Sequence, residues 1–322
     1  MKILKSNFNI LSEISAVNII VKPTKNKSGI AWTYSNLSIN KLVKMITGNK
    51  GHSYNICMWN CRRGLLTKEN KASEKITDVK LLLQEHDLHL LCLVEADLHG
   101  IASRVRRSQP LTQAEIHHQL RIDNYSIILP QTWQRHGQAR ILLYVKEGVH
   151  VKVKNLSRRD TDLPSLSCEI GLGKERKTSV NFFYREWTSG VSGLADTNSQ
   201  AERLARQIMH WKGLNSKKRD TVIMGDANLC ALKWGEDTYQ HKDLADLVQD
   251  YLLETSSFQL VTETTRSGAV AGGEVSMACL DHCYSDVPEK ISEVKVVAAG
   301  NSDHLAVIIK KLARYPLANL KL

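Results

Sequence analysis

The chain has 322 residues and a mass of 36.3 kDa, enough for one large domain or two small ones with a substantial core. Hydrophobic residues make up 42% and charged residues 24%, which excludes collagen-like, low-complexity and highly charged unfolded chains. The net charge is +11, and the first fifty residues carry eight lysines against Glu13 alone. Residues 1–50 therefore read as a basic extension, either contacting a phosphate-rich partner or simply solvated, ahead of a more balanced domain over 51–313 and a short tail over 314–322. The extension contains no arginine and no apolar stretch ending in a small-residue cleavage site, and no run of roughly 20 apolar residues occurs anywhere. Neither a leader sequence nor a membrane partner is expected. Seven cysteines (Cys57, Cys61, Cys92, Cys168, Cys230, Cys279 and Cys283) lack C-x-x-C spacing, so they read as reduced, buried thiols of an intracellular protein.

In chain order, residues 55–59 form a strand candidate. Residues 73–84 come next with Ile76, Val79, Leu82 and Leu83 at helical spacing behind Ser73 as N-cap, and 88–94 read as a buried strand, which opens the domain as β-α-β. A helix over 113–121 precedes strands over 125–129, 139–145, 149–154 with its alternating valines and lysines, 167–170 and 179–184. Helices over 199–212 and 244–254 flank a strand over 221–224, and strands over 279–284, 294–298 and 305–309 complete the pattern. About ten strands with few helices and no linker imply two packed sheets covered by helices in one domain.

Strong polar signals cluster where apolar runs end, which is where loops on a rigid sheet present reactive groups. Asn60 with Arg62 and Arg63 follows the first strand, Glu95 follows 90–94, Tyr184-Arg185 follows 180–183, and Gly225-Asp226-Ala227-Asn228 follows 222–224. Asp281 lies on a late strand, and Ser302-Asp303-His304 precedes the last. Singly, each has a plain structural reading as a turn, a helix cap or a hydrogen-bonded corner. Together, three carboxylates (Glu95, Asp226, Asp303), two amides (Asn60, Asn228), a histidine with an Asp281 partner and a Tyr-Arg step are what metal-assisted phosphodiester hydrolysis requires.

This ordered set resembles the endonuclease/exonuclease/phosphatase superfamily, and within it the apurinic/apyrimidinic-endonuclease-like branch found in non-LTR retrotransposons, over about residues 54–311. Trp59-Asn60 with Gly64, Glu95, Tyr184, Gly225 to Asn228, Asp281 and Asp303-His304 carry the resemblance. It implies a four-layer α/β sandwich of the DNase-like type, two mixed sheets flanked by helices. It also implies a Mg²⁺-dependent DNA endonuclease that leaves a 3′-hydroxyl, the target-nicking enzyme of such an element, acting in the nucleus. Mg²⁺ prefers hard oxygen donors, so Glu95 is the first-choice ligand with Asn60 and Asp303 beside it, and Mn²⁺ is an alternative. Asp281 and His304 form a dyad, Asp226 orients the nucleophile or takes its proton, Asn228 donates to a phosphate oxygen, and Tyr184 with Arg185 holds the scissile phosphate. The proton acceptor is either His304 or Asp226.

DNA phosphates are expected at Arg62 and Arg63, at the loop bearing Arg104, Arg106 and Arg107, and at Arg266, with Gly268 to Gly273 as a flexible hairpin loop on the same rim. His136 is a further candidate phosphate contact, whereas His86, His89, His117 and His118 read as surface residues and His282 as packing. Val94-Glu95-Ala96 and Tyr184-Arg185-Glu186-Trp187 depart from the wording of repair members, which sets a repair role aside. The reverse transcriptase of a parent element is not expected in this chain. Two alternatives stand beside the endonuclease: a phosphatase or other phosphodiesterase on the same fold, and a catalytically inactive nucleic-acid-binding remnant.

Overall fold

The computed structural model describes residues 24–26, 29–31, 53–67, 71–99, 111–130, 138–154, 163–171, 177–185, 197–214, 219–269 and 275–313. The chain divides into two compact units, residues 1–50 with 316–322, and residues 51–315. In the first, β1 (Thr24–Asn26) pairs antiparallel with β2 (Gly29–Ala31). No helix among the described residues is long and apolar enough to cross a membrane.

The second unit is built on two six-stranded mixed sheets. One runs in the order β15 (Ile291–Val297), β16 (Ala306–Leu312), β3 (Ser53–Asn60), β4 (Leu90–His99), β6 (Gln138–Lys146), β5 (Tyr125–Ile128). The other runs β11 (Phe258–Gln259), β14 (Asp281–Ser285), β10 (Asp220–Asp226), β9 (Thr178–Tyr184), β8 (Ser165–Ile170), β7 (Val151–Lys154). Each sheet has one parallel pair at its centre, β3 with β4 and β9 with β10, and every other pairing is antiparallel.

Side-chain alternation along the strands sorts residues into layers. Ile56, Met58, Cys92, Val94 and Leu143 of the first sheet pack against Val180, Phe182, Val222, Met224 and Cys283 of the second, forming the core between the sheets. The opposite faces of the same strands carry Trp59, Leu91, Leu93 and Tyr144, which bury Val79, Leu82 and Leu83 of α1 (Lys75–Glu85) and Ile116 of α2 (Gln113–Gln119). On the far side, Phe183, Ile223 and Tyr284 pack against α3 (Thr197–Leu214) and α4 (Lys242–Glu254) through Ile208, Trp211, Leu244 and Val248. Burial of each such side chain contributes about 1.5–3 kcal/mol. The result is the α/β/β/α sandwich that the sequence implies. All seven cysteines are free and buried.

Local signals account for most element ends. α2 begins on a capping box, with Thr112 Oγ1 accepting from Glu115 N at 3.2 Å and the Glu115 carboxylate accepting from Thr112 N at 2.6 Å. α1 departs from expectation: its N-cap position is Glu74, without a side-chain cap. Ser73 instead donates its hydroxyl to the Gly64 carbonyl and its N–H to Leu65 O at 3.0 Å, because it is committed to the loop after β3. The segment from Gly268 to Gly273, expected as a loop, begins inside a two-stranded ribbon: Gly268 and Ala269 belong to β12 (Arg266–Ala269), which pairs with β13 (Val275–Ala278), and residues 270–274 lie outside the described set.

Candidate active site

The topology brings one end of each parallel pair to the same end of the sandwich. β3 ends at Asn60, β9 at Tyr184 and β10 at Asp226, while Glu95 comes directly after the last β3–β4 partner, Val94. Asp226 pairs across the sheet with Tyr184 on one side and Asp281 on the other. Gly225 is required by this close pairing, since a Cβ there would lie 2.3 Å from the Phe183 carbonyl oxygen. Asn60, Glu95, Tyr184 and Asp226 line a cleft of about 690 Å³ together with Asn228, Arg62, Arg266, Asp303 and His304.

Three buried ionisable groups form its floor. His304 Nδ1 lies 2.8 Å from Asp281 Oδ2, and single ligand atoms of Asp226, Asp281 and His304 fall within 4.8 Å of one another. Burial alone would lower the His304 pKa, but the charges of Asp281, Asp226 and Asp303 outweigh it and raise it to about 9. The Asp226 carboxyl is held well above the usual carboxylate range, first by burial and then by the neighbouring Asp281 charge. Asn60 Nδ2 donates to Asp226 Oδ2 at 2.9 Å, and Asn228 N donates to Asp226 Oδ1 at 2.8 Å. Backbone ties hold the motifs in register. Trp59 Nε1 donates to His304 O at 3.2 Å, Ser302 Oγ donates to Asn60 O at 2.9 Å, and buried Thr265 Oγ1 accepts from both Leu280 N and Asp281 N at 3.0 Å.

Glu95 reaches the cleft through a backbone irregularity. Strict alternation would aim it with Leu91 and Leu93 at the helices, but Glu95 and Asp97 take φ of 55° and 52°. Between Val94 and Leu98, β4 advances four residues while its partner β6 advances two, a bulge that re-aims both acids. Glu95 Oε1 accepts from the Tyr184 hydroxyl and lies 3.9 Å from Arg140 Nη2, and the Arg140 guanidinium sits 4.9 Å from the Tyr184 ring centroid. Burial, with the Glu95 charge second, pushes the Tyr184 hydroxyl well above its ordinary pKa.

At the rim, Arg62 Nη1 and Arg266 Nε reach Asp303 Oδ2 at 3.1 and 3.0 Å. Burial works against ionisation of Asp303, yet these cations and His304 hold its carboxyl below the usual range. Arg63 Nε pairs with Asp97 at 2.7 Å. The donor set suits a hard divalent cation, with carboxylate and amide oxygens converging on one cleft. The buried Oδ1 of Asp303 has no hydrogen-bond partner among the described residues, an acceptor of the kind a cation would satisfy. Asn60, expected as a ligand, has its Oδ1 accepting from Arg62 N at 2.8 Å and its amide donating to Asp226, so it bridges the two sheets.

Arg185 is a correction. It is 2% exposed, and its guanidinium donates to Ala227 O at 2.9 Å and Asn228 O at 3.2 Å. Tyr184 faces the inter-sheet core, so its successor turns to the other side, away from a phosphate in the cleft. Asn228 lines the cleft, but its Nδ2 donates to Arg185 O at 2.5 Å. His282 is fully buried between Leu229 O, Cys279 O and the Tyr284 hydroxyl, as its packing role requires. Arg104, Arg106, Arg107 and His136 lie outside the described residues. Asp97 and Arg140 were not singled out for the site from the sequence. The Glu-x-Asp spacing at a strand end was the available signal for Asp97.

The sequence profile of the Endonuclease/Exonuclease/phosphatase family matches residues 59–304. No curated protein matches significantly. Among solved structures, the AP endonuclease LMAP from Leishmania major is similar at 14% identity and a TM-score of 0.58, covering 81% of this chain and 88% of that one. The endonuclease domain of TRAS1, a telomere-specific non-LTR retrotransposon, is similar at 14% identity and a TM-score of 0.51, covering 81% and 99%. The 3′ phosphatase NExo from Neisseria, bound to a product DNA hairpin, is similar at 13% identity and a TM-score of 0.52, covering 80% and 99%. These likenesses are of fold. The family profile spans most of the chain and both ends of its polar constellation, and on that ground the chain is a phosphoesterase belonging to the endonuclease/exonuclease/phosphatase family.

Proposed function

We propose that the protein is a divalent-cation-dependent DNA endonuclease that nicks a strand to leave a 3′-hydroxyl, in the manner expected of a non-LTR retrotransposon's target-nicking enzyme acting on nuclear DNA. The observation that carries this reading is the buried Asp226–Asp281–His304 group, whose Asp226 and His304 line the same cleft as Glu95, Tyr184 and Asp303. Arg62 and Arg266, whose side chains are 61% and 41% exposed at the rim, favour a polyanion that extends beyond the cleft over a small phosphate ester.

We assign the cation to Glu95 and Asp303, with Mg²⁺ first and Mn²⁺ as the alternative. When bound, it neutralises charge on the phosphate and on the departing oxygen. His304, with a pKa raised to about 9, is an imidazolium at neutral pH. It donates from Nε2 toward a non-bridging phosphate oxygen, while Asp281 fixes its Nδ1–H. Asp226 has a raised proton affinity and is steadied by Asn60 and Asn228 N–H. On this reading it takes the proton of the attacking water as the general base. Tyr184 supports Glu95 through its hydroxyl.

A supercoiled-plasmid assay with Mg²⁺ and with EDTA tests the reading, with end-labelling of the nicked product for a 3′-hydroxyl. Cation-dependent conversion to the open circle is expected. Release of phosphate from inositol phosphates without nicking would replace the endonuclease by a phosphatase, and inertness on both substrates with retained DNA binding would point to an inactive remnant.

A further inference from the structure

We infer that Asp97 is a positioning residue that keeps the Arg140 guanidinium off Glu95, leaving that carboxylate open to a divalent cation. The inference rests on the assignment of Glu95 as a cation ligand. Two acids leave the same bulge on the same side, and one arginine faces both. Arg140 Nη1 meets Asp97 Oδ1 at 2.8 Å, whereas Arg140 Nη2 stands 3.9 Å from Glu95 Oε1. The first is hydrogen-bond distance and the second is not. The other Asp97 oxygen meets Arg63 Nε at 2.7 Å, so each of its oxygens is ion-paired with a guanidinium. The guanidinium is held against the Tyr184 ring, 4.9 Å from its centroid, and the Tyr184 hydroxyl in turn reaches Glu95.

The consequence is electrostatic. An arginine side chain that is only 14% exposed and a carboxylate 3.9 Å away need a movement of about 1 Å to form a charge-assisted fork. Such a fork would cover the carboxylate oxygens with a permanent cation and leave less negative charge for a metal. Asp97 supplies the competing, closer acceptor. The left-handed φ of 52° at Asp97 is a conformation that favours glycine, and an aspartate there is understandable if its carboxylate is what the position needs.

The test is Mn²⁺ binding in the absence of DNA, read from the paramagnetic resonance signal of free Mn²⁺, on the full chain. Asp97→Ala should weaken binding by about 10-fold or more, the range for removing a residue that orients a ligand. Asp97→Ala combined with Arg140→Met should restore affinity to within about threefold of wild type, because the competing cation is gone. A ligand or purely structural role for Asp97 would instead make the double variant as weak as the single one or weaker, and would overturn the inference. Wild-type affinity in Asp97→Ala would overturn it equally. If Asp97→Ala does not fold, the isosteric Asp97→Asn takes its place and must show the same loss and the same rescue. Glu95→Gln separates the two layers of argument: unchanged Mn²⁺ affinity there removes Glu95 as a ligand, whereas a loss there with no loss on Asp97 replacement sinks the role of Asp97 alone.

Discussion

Asp281→Asn deletes the charge opposite His304 while keeping the side chain's shape, and its effect is expected to be a shift in pH dependence more than a uniform loss. In the proposed mechanism activity needs Asp226 deprotonated and His304 protonated, so kcat/KM rises through the Asp226 pKa and falls through that of His304. A His304 pKa of about 9 against the ordinary 6.5 is a preference for the imidazolium of about 3 kcal/mol. Burial opposes that preference, and Asp281 is the foremost charge that overcomes it. Without it the His304 pKa falls by about two pH units. The same charge also raises Asp226, so the acid limb moves in the same direction and the whole bell shifts toward acid.

For His304 alone, a fall from about 9 to about 7 removes roughly a tenth of the imidazolium at pH 6 and lowers it about 25-fold at pH 8.5, so the loss is confined to the alkaline side. Single-turnover plasmid nicking from about pH 5.5 to about 9.5 measures both limbs, and a nuclear magnetic resonance titration of the imidazole tracks His304 directly. A loss by the same factor at every pH would show that Asp281 acts by holding shape alone. A His304 that still titrates near 9 in the variant would refute the electrostatic argument.

Glu95→Gln should remove most Mg²⁺-supported nicking and leave thermal unfolding within about 1 kcal/mol of wild type, since it deletes a charge at a cleft and no core volume; near-normal turnover at saturating Mg²⁺ would reject Glu95 as a ligand. His304→Ala should cost on the order of 10²-fold in turnover at neutral pH and should lose the alkaline limb altogether, and a surviving limb near 9 would assign it to another group. Thr265→Val keeps the volume but strands the amides of Leu280 and Asp281, which should cost about 1–3 kcal/mol per group in denaturant unfolding; an unchanged midpoint would contradict those bonds. Arg62→Ala with Arg266→Ala should flatten the salt dependence of DNA binding, measured with the cation chelated, by up to about 0.9 per lost contact, and an unchanged slope would confine these arginines to Asp303.

The sandwich was readable because the central strands are apolar runs with definite ends, and most site residues sit at those ends. Asn60, Tyr184, Asp226 and His304 are the polar residues that border such runs, and the structure gathers them into one cleft. Arg185 misled because proximity in sequence to Tyr184 suggested a shared task, while strand parity sends the two side chains to opposite faces. Parity is visible in the sequence and outweighs adjacency. Asp97 and Arg140 were hidden for a different reason. Their meeting depends on a bulge whose left-handed positions are a glutamate and an aspartate, and no glycine or asparagine marked the irregularity. Ser73 shows the limit of capping signals: a hydroxyl before a helix is also a hydroxyl after a loop, and here the loop took it.

A single asymmetry in the cleft links these observations to the choice of base. Asp281 meets His304, Asp303 meets Arg62 and Arg266, Asp97 meets Arg63 and Arg140, and Glu95 lies within 3.9 Å of Arg140. Asp226 is served at hydrogen-bond distance by neutral donors, the Asn60 amide and the Asn228 N–H. A buried carboxylate whose close donors are neutral and which faces a second carboxylate has its proton affinity raised even with the His304 charge nearby, which in the proposed mechanism prepares Asp226 to receive the proton. Its protonation also removes the repulsion from Asp281. In the proposed mechanism the proton transfer that activates water therefore relieves an unfavourable interaction that the fold maintains at rest, while His304, paired with Asp281, keeps its charge for the phosphate.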